Sequence, residues 1–87
     1  MVIIMKKILI DIRENHEYKM GHIPNSLNIP KDLLELVPEK YLNKENYYIL
    51  YCDLGIASLK LSKELNLKGY KTISLNGGYS NWEKTNS

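Results

Sequence analysis

Apolar positions fall in short runs whose period changes along the chain. Residues 7–12 (KILIDI) form an Ile-rich run, which predicts a strand buried on both faces, with Asp11 and Arg13 at its polar C-terminal end. Residues 14–20 (ENHEYKM) predict one or two helical turns, stopped by Gly21 and barred from continuing by Pro24. Residues 27–29 (LNI) read as a short strand before Pro30, and residues 31–36 (KDLLEL) as a short helix ending before Pro38. The aromatic and β-branched run 47–51 (YYILY) predicts a strand, and 52–56 (CDLGI) a tight loop. In 57–67, Ala57, Leu61 and Leu65 recur at i, i+4 and i+8, one apolar face of a helix with Lys60, Lys63 and Glu64 off it. Gly69 suits the left-handed position past that helix. A strand over 70–75 (YKTISL), a Gly77-Gly78 turn and an amphipathic segment carrying Tyr79 and Trp82 complete the chain.

A strand, a helix and a strand at this spacing form a parallel crossover unit, so the expected class is α/β. In open parallel sheets ligands bind beyond the C-terminal strand ends. Cys52 falls at such an end, and Asp11 and Asn76 fall at the equivalent ends of two other strands.

Composition narrows the chemistry. Eighty-seven residues suit a single domain spanning 1–87. One cysteine excludes an internal disulfide, a Cys-x-x-Cys redox pair and a multi-cysteine zinc site. His16 and His22 fit no metal-ligand spacing, so no metal is expected. The 12 basic and 10 acidic residues are scattered, and eleven of the basic ones are lysines, Arg13 being the exception. There is no basic stripe, so nucleic acid is not an expected partner. The apolar start Met1–Met5 is cut short by Lys6 and Lys7, too early for a signal peptide or a membrane helix. The expectation is a cytoplasmic protein with no membrane partner and a reduced thiol.

The candidate chemistry lies in the loop Cys52-Asp-Leu-Gly-Ile-Ala-Ser58. It runs from a strand into the first turn of a helix, where N–H groups lack intrahelical partners and the dipole favours negative charge. Gly55 lets the loop curl so that its amides point inward as an anion nest. Cys52 at the mouth of that nest is the candidate nucleophile, with its thiolate stabilised. The candidate substrate-holding groups are the backbone amides of Asp53, Leu54, Gly55, Ile56, Ala57 and Ser58. Asp11 and Arg13 are candidate site-edge residues, with Asp11 expected to cap loop amides or pair with Arg13. A lone cysteine after a buried strand is most often inert core; the loop and helix around Cys52 favour the functional reading.

Cys52-x-x-Gly55-x-x-Ser58 after an apolar strand resembles the active loop of rhodanese-type sulfurtransferases. Ile10-Asp-Ile-Arg13 is similar to that family's "IDVR" strand end. Glu17-Tyr-Lys-Met-Gly-His-Ile-Pro24 is similar to its "E-(Y/F)-x-x-GHIPG" motif. Gly69-Tyr70 with Leu75-Asn-Gly-Gly-Tyr-Ser-Asn-Trp82 is similar to its closing "GY…L-x-GG-(aromatic)-xx-W". Together the motifs cover the chain from about Ile8 to Glu83. The resemblance implies a small rhodanese-like domain: a mostly parallel sheet of about four strands flanked by helices, with the family's first strand and helix shortened or absent. Val2–Ile4 then either lengthens the first strand or leaves a sheet edge for a partner to cover. The resemblance further implies a sulfurtransferase. Cys52 would take sulfane sulfur from thiosulfate, another small donor or a persulfidated protein, and pass it to a thiol, cyanide or protein acceptor. No cofactor is implied.

Two departures bear on activity. Many active members carry an arginine or another polar residue where this chain has Ala57. Asp53 sets a carboxylate beside the sulfur, which should repel anionic donors such as thiosulfate and oppose thiolate formation. Both favour the competing reading, a catalytically weak or inactive module that binds a partner or senses redox state. A cysteine phosphatase needs Cys-x5-Arg, and the arginine position here is Ser58. His22 is expected to stabilise its turn, Asn25 to be tolerated in place of a glycine after Pro24, and Tyr79 and Trp82 to pack the core and edge of the last helix.

Overall fold

The structure, a computed structural model, describes residues 6–86. The expectation for Val2–Ile4 lies outside the described residues. The elements are β1 (Lys7–Asp11), α1 (Asn15–Met20), β2 (Leu27–Asn28), α2 (Lys31–Leu36), a 3-10 turn (Pro38–Lys40), β3 (Tyr47–Tyr51), α3 (Ile56–Leu67), β4 (Lys71–Ser74) and α4 (Gly78–Asn86). The four strands form one parallel sheet in the order β2-β1-β3-β4, as the crossover argument requires.

The register lines up the strand ends that matter. Asp11 lies opposite Tyr51, and Leu50 opposite Ser74. The ladder runs one bond further at both joints, with Ile12 N–H donating to Tyr51 O (2.9 Å) and Leu75 N–H to Leu50 O (2.8 Å). Residues 11–13, 52 and 75–76 therefore leave the sheet together at its C-terminal edge.

The main core lies on one face. Ile10, Ile12, Tyr48, Leu50 and Cys52 pack there with Leu34 of α2 and Leu61 and Leu65 of α3. Ala57 is only half-buried, and Ser58 and Ser62 complete the inner side of α3. They escape an apolar-period search because they are polar, yet both are satisfied: the Ser62 hydroxyl meets Thr72 Oγ1 at 2.8 Å and the Ser58 hydroxyl meets Ser74 Oγ at 2.6 Å. Gly69 takes the left-handed conformation (φ 95°) expected past α3, and Tyr70 N–H closes back on Leu65 O.

The expectation that residues 7–12 are buried on both faces needs correcting. Lys7 is exposed, and Ile8 and Leu9 are half-buried; only the C-terminal half of β1 is enclosed. The opposite sheet face carries Leu9, Ile49 and Ile73 in one row, and Ile73 is 61% exposed. The covered end of that face lies under residues 21–26. There the Tyr51 phenol accepts from Ile23 N–H (3.1 Å) and meets Ser26 Oγ (2.8 Å). Burial above all pushes that phenol up to about 12, so it stays neutral at physiological pH.

Candidate active site

The strand-to-helix turn after β3 is built around the sulfur of Cys52. Gly55, the residue before α3, has φ 93°, a conformation that costs glycine little. A Cβ there would also sit 3.1 Å from Gly77 N and 3.3 Å from Leu75 O. This bend turns the chain back so that Gly55 N–H donates to Cys52 Sγ at 3.2 Å and Ser58 N–H at 3.4 Å. Ser58 is the third residue of α3, so the sulfur takes the N-cap acceptor role that a Ser or Asp oxygen commonly fills.

A second bracket holds the loop from behind. The first residues of α4 donate to its carbonyls: Tyr79 N–H to Cys52 O (2.8 Å) and Ser80 N–H to Asp53 O (3.0 Å). Gly78 permits the approach, because a Cβ there would collide with the carbonyl oxygens of Cys52 and Asp53. The loop carbonyls are thus bound on the α4 side while amides face the sulfur.

The thiol also faces a hydroxyl chain. Cys52 Sγ lies 3.4 Å from Ser58 Oγ, which lies 2.6 Å from Ser74 Oγ, which reaches Gly55 O at 3.5 Å. With a neutral thiol, protons can point from sulfur toward Gly55 O. On ionisation the Ser58 and Ser74 hydroxyls can reverse and donate toward the sulfur. Burial pushes the thiol pKa up, but hydrogen bonds from the Ser58 hydroxyl and the Ser58, Gly55 and Leu54 amides outweigh it. The net pKa lies below that of an ordinary thiol.

Of the expected loop amides, those of Gly55 and Ser58 bond the sulfur. Asp53, Leu54, Ile56 and Ala57 line, with Cys52, a cleft of about 220 Å³ over it. Asp11 and Arg13 come together as expected. The buried Asp11 carboxylate caps Arg13 N–H (2.9 Å) and pairs with its guanidinium (2.7 Å). The same guanidinium donates to Gly21 O (2.7 Å) and reaches Asp53 Oδ1 at 3.4 Å.

That last contact was not foreseen for Asp53. Its carboxylate reaches Arg13, so its charge is partly offset, and the Cys52 thiol is lowered with Asp53 present. Tyr79 and Trp82 meet the edge part of their expectation and not the core part. Neither joins the core; Arg13 lies over the Tyr79 ring at 4.3 Å, and that ring stacks on Trp82 at 5.9 Å. His22 acts in its turn, stacked on Tyr18 (3.7 Å) with Nδ1 2.8 Å from Tyr18 O. Asn25 takes φ 71° in the following turn, which asparagine tolerates. The α4 bracket and Ser74 were missed from sequence, although the Gly77-Gly78 pair was its visible sign.

Among the described residues no three His, Cys, Asp or Glu side chains gather as metal ligands, and no helix is long and apolar enough to cross a membrane.

Comparison with known proteins agrees with this architecture. The model of the rhodanese-like domain family matches residues 3–85. The thiosulfate sulfurtransferase GlpE of Coxiella burnetii is 32% identical over 87% of this chain and 71% of its own length. A tRNA sulfurtransferase of Desulfurococcus amylolyticus is 36% identical over 86% of this chain, which corresponds to 14% of that longer protein. The crystal structure of a rhodanese-related protein from Thermoplasma volcanium superposes with a TM-score of 0.82 at 29% identity, covering 91% of this chain and 78% of that one. With nearly its whole length matched by the family and its four-stranded parallel fold shared with a solved relative, this chain belongs to the rhodanese-like domain family.

Proposed function

We propose that this protein is a sulfurtransferase that carries sulfane sulfur as a persulfide on Cys52. The observation that carries this reading is the convergence of two backbone amides and the Ser58 hydroxyl on one sulfur at the C-terminal edge of the sheet. Those donors stabilise the thiolate that must attack, and the same cradle stabilises the thiolate that must leave.

The chemistry divides one transfer into two displacements. The Cys52 thiolate attacks the outer sulfur of thiosulfate, a sulfur–sulfur bond forms, and sulfite leaves with the electron pair of the broken bond. A persulfide donor reacts in the same way and leaves as a thiolate. An acceptor thiolate or cyanide then attacks the outer sulfur of the Cys52 persulfide, and the electron pair of that bond returns to Sγ. No net oxidation occurs and no cofactor takes part. The thiol must be reduced to begin, which suits the cytoplasm. Relatives named for thiosulfate and for tRNA sulfur transfer support the reaction class.

Turnover distinguishes this reading from a silent binding or redox-sensing module. Purified protein given cyanide and either thiosulfate or a persulfide donor should form thiocyanate, and Cys52→Ser should not. Rates equal to those of Cys52→Ser with both donors would favour the silent module.

A further inference from the structure

The hydroxyl chain behind the thiol ends at a different cleft from the one over the sulfur. Cys52 lines the first cleft, of about 220 Å³, with the loop residues Asp53, Leu54, Ile56 and Ala57. Ser74 lines a second cleft, of about 300 Å³, beside Gly55, Asn76 and Gly77. Ser58 joins the two: it is fully buried, 3.4 Å from Cys52 Sγ and 2.6 Å from Ser74 Oγ. The Ser74 bond to Gly55 O is long at 3.5 Å, so that hydroxyl turns at little cost.

Cys52 is only 9% exposed, and a sulfur donor seated over it closes that opening. The thiol must nevertheless lose its proton before the sulfur can attack. The titratable and charged groups around it are few. Asp53, on the loop itself, reaches Arg13 at 3.4 Å, and Arg13 and Asp11 at the end of β1 pair with each other. Tyr51 of β3 and Tyr79 of α4 are phenols pushed up from their ordinary value, with desolvation the first cause, so both stay neutral. The buried side of α3 presents Ser58, Leu61, Ser62 and Leu65, none of them titratable in this range. The residues lining the second cleft include no titratable side chain, so the proton acceptor at that end is solvent water.

Resting on the sulfur-transfer reading, we propose that Ser74 is a positioning residue for Cys52, drawing the thiol proton through Ser58 into the second cleft and then holding the thiolate for attack. In this relay the thiol proton moves to Ser58 Oγ, the Ser58 proton to Ser74 Oγ, and the Ser74 proton to water. One S–H and two O–H bonds break, three O–H bonds form, and nothing is oxidised. The products are the thiolate and a hydronium ion that passes to buffer. The same movement leaves both hydroxyls aimed at the sulfur, Ser58 donating to Sγ and Ser74 to Ser58 Oγ, so each bond strengthens the other. The proton never crosses the donor cleft and can leave with a donor in place.

The test is the rate of alkylation by iodoacetamide across pH, with sulfur loading from glutathione persulfide followed in parallel by intact mass. At about pH 6, Ser58→Ala should slow alkylation about tenfold, the scale of one hydrogen bond to a charged sulfur. Ser74→Ala should slow it about threefold, because it acts only by polarising Ser58. Wild type and variants should converge at a pH where every thiol is ionised. Ser74→Thr keeps the hydroxyl and should restore the wild-type profile. Ser58→Ala/Ser74→Ala should be no slower than Ser58→Ala alone, and sulfur loading of Ser74→Ala should slow by the same factor as its alkylation. A wild-type profile in Ser74→Ala, the same loss in Ser74→Thr, losses that multiply in the double variant, or loading unaffected in Ser74→Ala would each overturn the inference. Failure of the wild type to load sulfur would overturn the sulfur-transfer reading instead, and the alkylation profiles would still decide whether Ser74 holds the thiolate.

Discussion

At the scale of the residue, the sulfur of Cys52 serves two roles. It caps α3 by accepting Gly55 and Ser58 amides, and its ionised form binds those donors more strongly than the thiol does. The sign for reactivity follows. Burial alone would raise the thiol pKa, the Ser58 and loop hydrogen bonds lower it, and the lowering wins. The rate of alkylation by iodoacetamide should therefore rise with pH through a midpoint below that of a free cysteine measured alongside. Ser58→Ala removes the strongest of the lowering contacts and should move that midpoint up. A midpoint unchanged by Ser58→Ala would show that the hydroxyl chain through Ser74 has no hold on the thiolate. Cys52 and its loop could be read from sequence because a strand, a glycine and a helix start give a local pattern. Ser74 could not, since its part depends on strand pairing that brings β4 beside β3. The contact of Asp53 with Arg13 was hidden for the same reason: the two lie 40 residues apart in the chain.

At the scale of the element, the site depends on where α3 and α4 are fixed. Leu61 and Leu65 of α3 are almost fully buried against the sheet. Leu61→Ala should cost about 2–5 kcal/mol, read from the denaturation midpoint at an unchanged m-value. A wild-type midpoint would mean that α3 is not seated through this face. The helix itself was predicted to within one residue, but its inner face was incomplete, because Ser58 and Ser62 are buried through hydrogen bonds to β4 rather than through apolar contact. The start of α4 bonds the carbonyls of Cys52 and Asp53 and needs Gly78 to do so. Gly78→Ala should displace the loop from α4, lowering the denaturation midpoint and raising the alkylation midpoint of Cys52 together. Loss of stability without any change at Cys52 would show that the bracket supports the fold alone.

At the scale of the whole molecule, one parallel sheet gathers residues from four places in the sequence at its C-terminal edge. Asp11 and Arg13 arrive from β1, the Cys52 loop from β3, Ser74 from β4 and Gly78 from the start of α4. The α/β class followed from the alternation of short apolar runs with a helical period, and the mostly parallel sheet of about four strands from the family resemblance. The uneven burial of the sheet did not: residues 7–12 read as buried on both faces, but Leu9 is only half-buried and Ile73, in the same row, is exposed. An 87-residue domain has a net stability of only about 4–13 kcal/mol, so α3 and α4 hold the loop with little to spare. What the arrangement is for is tested most directly by intact mass of the purified protein after incubation with thiosulfate and, separately, with a persulfide donor. The account predicts a gain of one sulfur atom with at least one donor, removed by cyanide or a thiol and absent in Cys52→Ser. No gain with either donor, or a gain that persists in Cys52→Ser, would contradict it.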